Sequence, residues 1–227
     1  MRAAVSRDRG RSWINDRDVG YAAGVVHATF PVAVAGDPDR AACGFLGTTT
    51  QGPYQSTTFT GIWHAYVAMT YDGGNSWHTV NATPGDPVQG TGGICLGGTT
   101  CIENRNLLDF NDMTLDDRGR VLFGINDGCT DDCVLPPYTP TQVCIPTGGI
   151  NDICLNSIAK TTILRQSGGR SLFAAFDSRA TPAPSVTPPI VVTAPGDKPS
   201  SSGFLLGAIG FNFLLPLLGF ALARRRC

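Results

Sequence analysis

An eight-residue pattern occurs twice in this chain and constrains its fold more than any other feature. Ser6-Arg7-Asp8-Arg9-Gly10-Arg11-Ser12-Trp13 and Thr70-Tyr71-Asp72-Gly73-Gly74-Asn75-Ser76-Trp77 share Ser/Thr, Asp, Gly, Ser and Trp at the same offsets. Each residue type suits a tight hairpin. The Asp carboxylate accepts from backbone N–H groups of the turn, Gly takes a positive φ that L side chains resist, and Trp opens the next strand with its ring buried beneath. Asp8, Gly10, Trp13, Asp72, Gly74 and Trp77 are therefore structural residues of two strand-turn-strand units. Weaker echoes follow at Asp117-Arg118-Gly119-Arg120 and Ser167-Gly168-Gly169-Arg170-Ser171-Leu172, where the acid or the Trp is missing. Counted from Asp8 through Asp72 and Asp117 to Ser167, the steps are 64, 45 and 50 residues, about the length of a four-stranded antiparallel unit.

The composition agrees with an all-β chain. The 28 Gly and 16 Pro supply turns, while Glu103 is the one glutamate and Lys160 and Lys198 are the only lysines, so good helix formers are scarce. Strands are expected over residues 29–35, 42–49, 62–70, 77–80, 114–115, 121–125, 158–164 and 172–176, with the first two flanking the turn Gly36-Asp37-Pro38-Asp39-Arg40. Alternation in the third places Trp63, Ala65, Val67 and Met69 on one face. A net charge of -1 lacks the basic footprint of a nucleic-acid binder, and that class is excluded.

Three regions differ in composition: a folded domain over 1–178, a Pro/Ser/Thr-rich linker over 179–203, and an apolar tail over 204–227. The linker has too little apolar surface to offset its ordering entropy and reads as an extended spacer. Residues 204–223 carry no charge, and at a helical rise of ~1.5 Å they reach about 30 Å, the thickness of a hydrocarbon core. One transmembrane helix is expected there, with Arg224, Arg225 and Arg226 on the cytoplasmic side and the folded domain outside. This tail resembles the C-terminal sorting signals of exported bacterial proteins. The resemblance implies a bacterial cell-envelope or cell-surface location, anchored or released after a sorting protease acts on the tail. Residues 1–10 contain no apolar signal-peptide core, so a chain truncated at its N-terminus is expected.

Export fits the cysteines. Cys95/Cys101, Cys129/Cys133 and Cys144/Cys154 are neighbours in sequence, each pair enclosing a turn, which suits loop-stapling disulfides in an oxidising compartment. Cys43 lies in a strand-like run as a buried thiol or the partner of a cysteine in the part expected to be missing, and Cys227 trails the arginines. A zinc site at Cys129-x-x-x-Cys133 lacks a nearby histidine, and 126–132 lacks the spacing of a calcium loop. His27, His64 and His78 have no metal-ligand spacing. No metal and no cofactor is assigned.

The repeated pattern resembles the Asp-box, or BNR repeat, of sialidases and related β-propellers, over residues 1–178. The resemblance implies about three four-stranded blades of a ring that is incomplete in this chain, with the Asp-boxes away from the active face. Sialidase chemistry uses an arginine triad for the substrate carboxylate, a Tyr nucleophile polarised by a Glu, and an Asp acid/base. No complete set is present. Glu103 and Arg105, in a Gly-rich loop beside Cys101, are the candidate catalytic pair, with a surface ion pair as the alternative. Arg165 and Arg170 read as solvated hairpin residues, and neither Tyr66 nor Tyr71 is placed as a nucleophile. The resemblance thus implies an exported, membrane-tethered sialidase-like propeller that engages an extracellular glycan or protein. The alternatives are an N-terminally truncated exo-α-sialidase or related glycoside hydrolase, and a structural ectodomain without ligand.

Overall fold

The computed structural model describes residues 1–97, 107, 110–140, 143–145, 153–155, 159–177 and 220–222. Among them the chain is antiparallel β with three short 3-10 turns, Tyr21–Ala23, Asp131–Val134 and Ala174–Phe176, and no α-helix. The strands are β1 (Arg2–Val5), β2 (Ile14–Asp18), β3 (His27–Ala35), β4 (Ala41–Thr48), β5 (His64–Thr70) and β6 (His78–Asn81). They continue as β7 (Asp112–Leu115), β8 (Val121–Asp127), β9 (Val143–Ile145), β10 (Ile153–Leu155), β11 (Lys160–Gln166) and β12 (Phe220–Leu222).

Two four-stranded sheets carry the fold. The first is β3-β4-β5-β6 in chain order; the second is β7-β8-β11-β12, with the separate pair β9-β10 between β8 and β11 in sequence. β1 and β2 form a further two-stranded sheet. In β5, Trp63 just before the strand and Ala65, Val67 and Met69 within it enter one core, while Tyr66 and Ala68 enter another, as the period of two requires. β4 does the same, with Ala42 and Leu46 on the first side and Phe45 on the second. The first core continues into Met113 of β7, Val121, Phe123 and Ile125 of β8, and Leu164 of β11. The two four-stranded sheets therefore pack face to face. Gly44 of β4 makes the closest approach, where a side chain would meet Met113 and Phe123. On the other face of the first sheet, Phe45 stacks on Tyr66 at 5.7 Å, and Met1 and Ala3 from the β1-β2 side and Trp77 just before β6 pack against that cluster.

Several expectations change in this structure. Trp13 is 65% exposed rather than buried, because no further strand covers the outer side of β1-β2 among the described residues; Trp77, which has that hairpin over it, is half-buried. Residues 172–176 form no strand. Leu172 instead bridges two turns, and the Asp37 carboxylate accepts from Ala174 N at 2.7 Å, which curls the chain into a 3-10 turn. Three residues of the expected tail helix, Phe220–Leu222, are a strand paired with β11. The rest of the tail and the linker lie outside the described residues. No helix among the described residues is long and apolar enough to cross a membrane.

Candidate functional site

In each antiparallel meander the connections alternate between two ends. One end has the short turns 6–13, 36–40, 71–77 and 116–120, and the chain leaving β11 at 167–171 lies there too. The other has the connections 19–26, 49–63, 82–111 and 128–159, the last of which carries β9 and β10. Backbone bonds tie the sheets together at both. At the turn end Asp37 N donates to Leu172 O and Leu172 N to Gly119 O, while Gly73 N donates to Asp39 O between two turns of the first sheet. At the loop end Gly128 N donates to Val88 O and Thr91 N to Tyr138 O.

The turn end holds the two repeats, and both build the same hydrogen-bond set. In the first, Asp8 Oδ1 accepts from Ser12 N at 2.8 Å and Oδ2 from Ser12 Oγ at 2.7 Å, while Ser6 Oγ accepts from Gly10 N. In the second, Asp72 accepts from Ser76 N at 3.0 Å and from its hydroxyl, while Thr70 Oγ1 accepts from Gly74 N at 2.9 Å. Gly10 and Gly74 sit at φ +83° and +82°, the left-handed conformation that favours glycine. The Ser12 and Ser76 hydroxyls, then their backbone N–H groups, hold both carboxyls down to about 2. The third echo is shifted by one residue: Asp116, not Asp117, accepts from Arg118 N and Arg120 N at 2.9 Å. It also caps a different kind of connection, the turn between the first two strands of its sheet, whereas Asp72 caps the turn between the last two. The 45-residue step is therefore not a repeat length.

Charges at the turn end satisfy one another. Arg40 binds Asp177 through two 2.8 Å bonds and also donates to Ser171 O. Arg40 and Arg170 lie 5.7 and 4.6 Å from the Tyr71 ring centre, and Tyr71 donates to Arg170 O at 2.8 Å. Arg120 and Arg165 meet on Asp116, at 2.9 and 3.1 Å. Among the described residues both places where arginines converge thus contain a carboxylate of the chain itself, which takes up the guanidinium donors. Burial raises the Tyr71 hydroxyl above its ordinary value, partly offset by Arg170, and burial raises that of Tyr66. Neither has the shift of an activated nucleophile.

The loop end differs. His27, Tyr54, Phe59 and Trp63 come from β3, the 49–63 loop and the approach to β5, and their rings meet at 4.8 Å (His27–Tyr54), 6.0 Å (Tyr54–Trp63) and 6.2 Å (Phe59–Trp63). His27 Nε2, Trp63 Nε1 and, at the start of β7, Asn111 Nδ2 are buried without a hydrogen-bond partner among the described residues. At the turn end only Trp77 Nε1 shares that condition. Around these groups the loops are knitted: Ile94 N donates to Tyr54 O, Gly92 N to Phe59 O, and Gln89 Nε2 to Gly93 O. Gly90 has no room for a side chain, since its Cβ position lies 1.8 Å from Tyr138 O. Cys129–Cys133 is a disulfide with a Cα–Cα distance of 5.0 Å and staples the 3-10 turn beside Gly90. Buried Asp127 accepts from Cys129 N at 3.2 Å and Thr162 Oγ1 at 3.3 Å. Burial lowers the His64 ring from its ordinary value, opposed by its 2.7 Å bond to Thr83 O.

Glu103, Arg105 and Cys101 lie outside the described residues. Cys95 is disulfide-bonded, and Cys144 and Cys154 stand opposite one another in the β9-β10 register. Cys43 is free and half-buried, its thiol pushed up to about 11 by burial. Among the described residues no three His, Cys, Asp or Glu side chains group as a metal site. His27, Tyr54, Phe59 and Asn111 carry no local motif; they are separated by up to 84 residues, and only the folded loops relate them. Compared with protein-family models, with curated proteins and with solved structures, the chain matches none.

Proposed function

We propose that this chain is an exported, membrane-tethered β-propeller of the sialidase-like Asp-box kind whose loop end engages an extracellular glycan or protein. Support for the propeller comes from two four-stranded meanders packed face to face, with β1-β2 on the far side of the first. In that reading β1 and β2 are the last two strands of one blade, β3 to β6 are a second, and Asp8 and Asp72 cap equivalent turns. The tether rests on the sequence of the uncharged stretch 204–223 followed by three arginines, and a membrane-inserted tail gives up the pairing of Phe220–Leu222 with β11.

The observation that carries the ligand reading is the set of buried, unpartnered nitrogens at the loop end. His27 Nε2, Trp63 Nε1 and Asn111 Nδ2 sit within or beside the aromatic loops. Each unmet polar group costs about 1–3 kcal/mol, which an oxygen-rich ligand recovers. Half-buried Tyr54 offers a ring face of the kind sugars stack on. The test is retention of the purified full chain on a panel of immobilised glycans, with Tyr54→Ala and Asn111→Ala as variants. Retention lost in both supports the reading; no retention on any glycan or surface protein leaves the ectodomain purely structural. Release of free sialic acid from an aryl sialoside in the same samples assigns the hydrolase instead.

A further inference from the structure

We propose that residues 88–94 form a strap that sets the aromatic loop site, and that the Cys129–Cys133 disulfide locks this strap, so that ligand is held only by the oxidised chain. The proposal rests on the reading of the loop end as the ligand site. One side of the strap holds that site. Val88 N donates to Trp63 O at 2.9 Å and Trp63 N to Gln89 O at 2.9 Å, Gly92 N donates to Phe59 O at 2.7 Å, and Ile94 N to Tyr54 O at 2.9 Å. Three of the four rings in the cluster are thus placed by backbone bonds to one short run of chain.

The other side of the strap meets the disulfide turn. Thr91 N donates to Tyr138 O at 3.0 Å, and a Cβ on Gly90 would fall 1.8 Å from Tyr138 O and 3.0 Å from Cys133 Sγ. Towards the site, a Cβ on Gly93 would fall 2.5 Å from Ser56 O and 2.6 Å from Tyr54 O. Backbone touches backbone on both sides, so a shift of the turn meets no soft side chain that could absorb it before the rings move. The bridge reaches Tyr138 through successive turns: Cys133 N donates to Thr130 O, Leu135 N to Asp132 O, and Tyr138 N to Leu135 O. Tyr138 itself sits at φ +59°, a conformation that a bulky residue keeps only where its surroundings impose it. The switching step is thiol–disulfide exchange with a dithiol reductant. The Cys129–Cys133 bond takes up two electrons and two protons to give two thiols, and the reductant's two thiols close to a disulfide. Both cysteines are buried, so the exchange waits on opening of the turn.

The experiment compares the native full chain with Cys129→Ala/Cys133→Ala and with Gly90→Ala, which displaces the strap while leaving the bridge intact. Amide exchange is read at Gly92 and Ile94, the N–H groups that hold Phe59 and Tyr54, together with the Trp63 indole signal and retention on the immobilised glycan panel. In both variants exchange at the two amides is expected to rise at least about tenfold and retention to fall at least about tenfold, while Ala65–Met69 of β5 stay protected. The Trp63 indole shifts in the same samples. Exchange that rises at Thr91 alone, with Gly92, Ile94 and Trp63 unchanged, overturns the proposal. So does a glycan that dithiothreitol releases from the native chain but that the cysteine variant still retains, because another bridge is then the sensitive one. A native chain that retains no glycan overturns the ligand reading and the proposal with it. The amide and indole signals need no ligand, so they tell that failure from a failure of the coupling.

Discussion

Replacing Gly44 by alanine probes the face-to-face packing of the two four-stranded sheets. A Cβ at this position falls 2.5 Å from Met113 Cε, 2.9 Å from Phe123 Cζ and 3.0 Å from Phe123 Cε1. The Met113 methyl is the flexible end of a side chain, but the Phe123 ring is fully buried and has no free volume to turn into. Overpacking of this kind costs about 1–3 kcal/mol, while stiffening the unfolded chain returns about 0.4–1 kcal/mol. The net expectation is a loss of about 1–2 kcal/mol, read as a lower urea midpoint at unchanged slope by tryptophan fluorescence. Gly85→Ala is the control, since nothing lies within 4 Å of its Cβ position, and it is expected to be neutral or slightly stabilising. Met113→Ala removes the nearest atom; alone it costs about 2–5 kcal/mol, and in the double variant the Gly44→Ala penalty shrinks by more than about 0.5 kcal/mol. Equal effects at Gly44 and Gly85, with strict additivity to Met113→Ala, would refute the shared core.

Three further outcomes are expected. Arg40→Met strips Asp177 of two guanidinium bonds where its side chain is only 25% exposed, so a loss of about 2–3 kcal/mol is expected, with a coupling above about 1 kcal/mol in a cycle with Asp177→Asn. Asp8 and Asp72 are held at about 2, below the ordinary 3.8, so their contribution to stability is complete above about pH 4 and is lost as the pH falls toward 2; an acid titration of Asp72→Asn shows a shallower decline than the native chain. Reducing the Cys129–Cys133 bridge leaves β8 paired but loosens the 131–138 loop, so amide exchange rises at Thr91, whose N–H is held by Tyr138 O, and not at Val121–Asp127.

The repeat was legible because all its bonds are local. Asp8 reaches Ser12 and Asp72 reaches Ser76 within a single turn, so the residue pattern and the hydrogen bonds carry the same information. Strands with an alternating apolar face, such as β5, were legible for the same reason. Trp13 shows where this reasoning stops: the box places the ring at the start of a strand, but its burial depends on a neighbouring sheet that the eight residues do not encode. Residues 172–176 look like a strand by composition, and the contacts that curl them come from Asp37 and Arg40, more than 130 positions away. The third echo misled by register, since Asp116 and Asp117 are both acids and only the turn geometry selects the first. At the loop end the gap is wider. His27 opens β3 while Trp63 and Asn111 close two different connections, and nothing about any one of them announces an unpartnered nitrogen.

The most direct measurement of the ligand reading uses the three tryptophans, Trp13, Trp63 and Trp77, whose indole N–H groups give separate signals in a ¹⁵N-labelled full chain. Trp63 Nε1 lies at the loop end without a partner, while Trp13 and Trp77 belong to the two repeats at the turn end. Titration with a retained glycan is expected to move the Trp63 indole and the Asn111 side-chain amide, leaving Trp13 and Trp77 in place. Shifts confined to Trp13 or Trp77 would contradict the account, as would saturating binding that moves no indole at all.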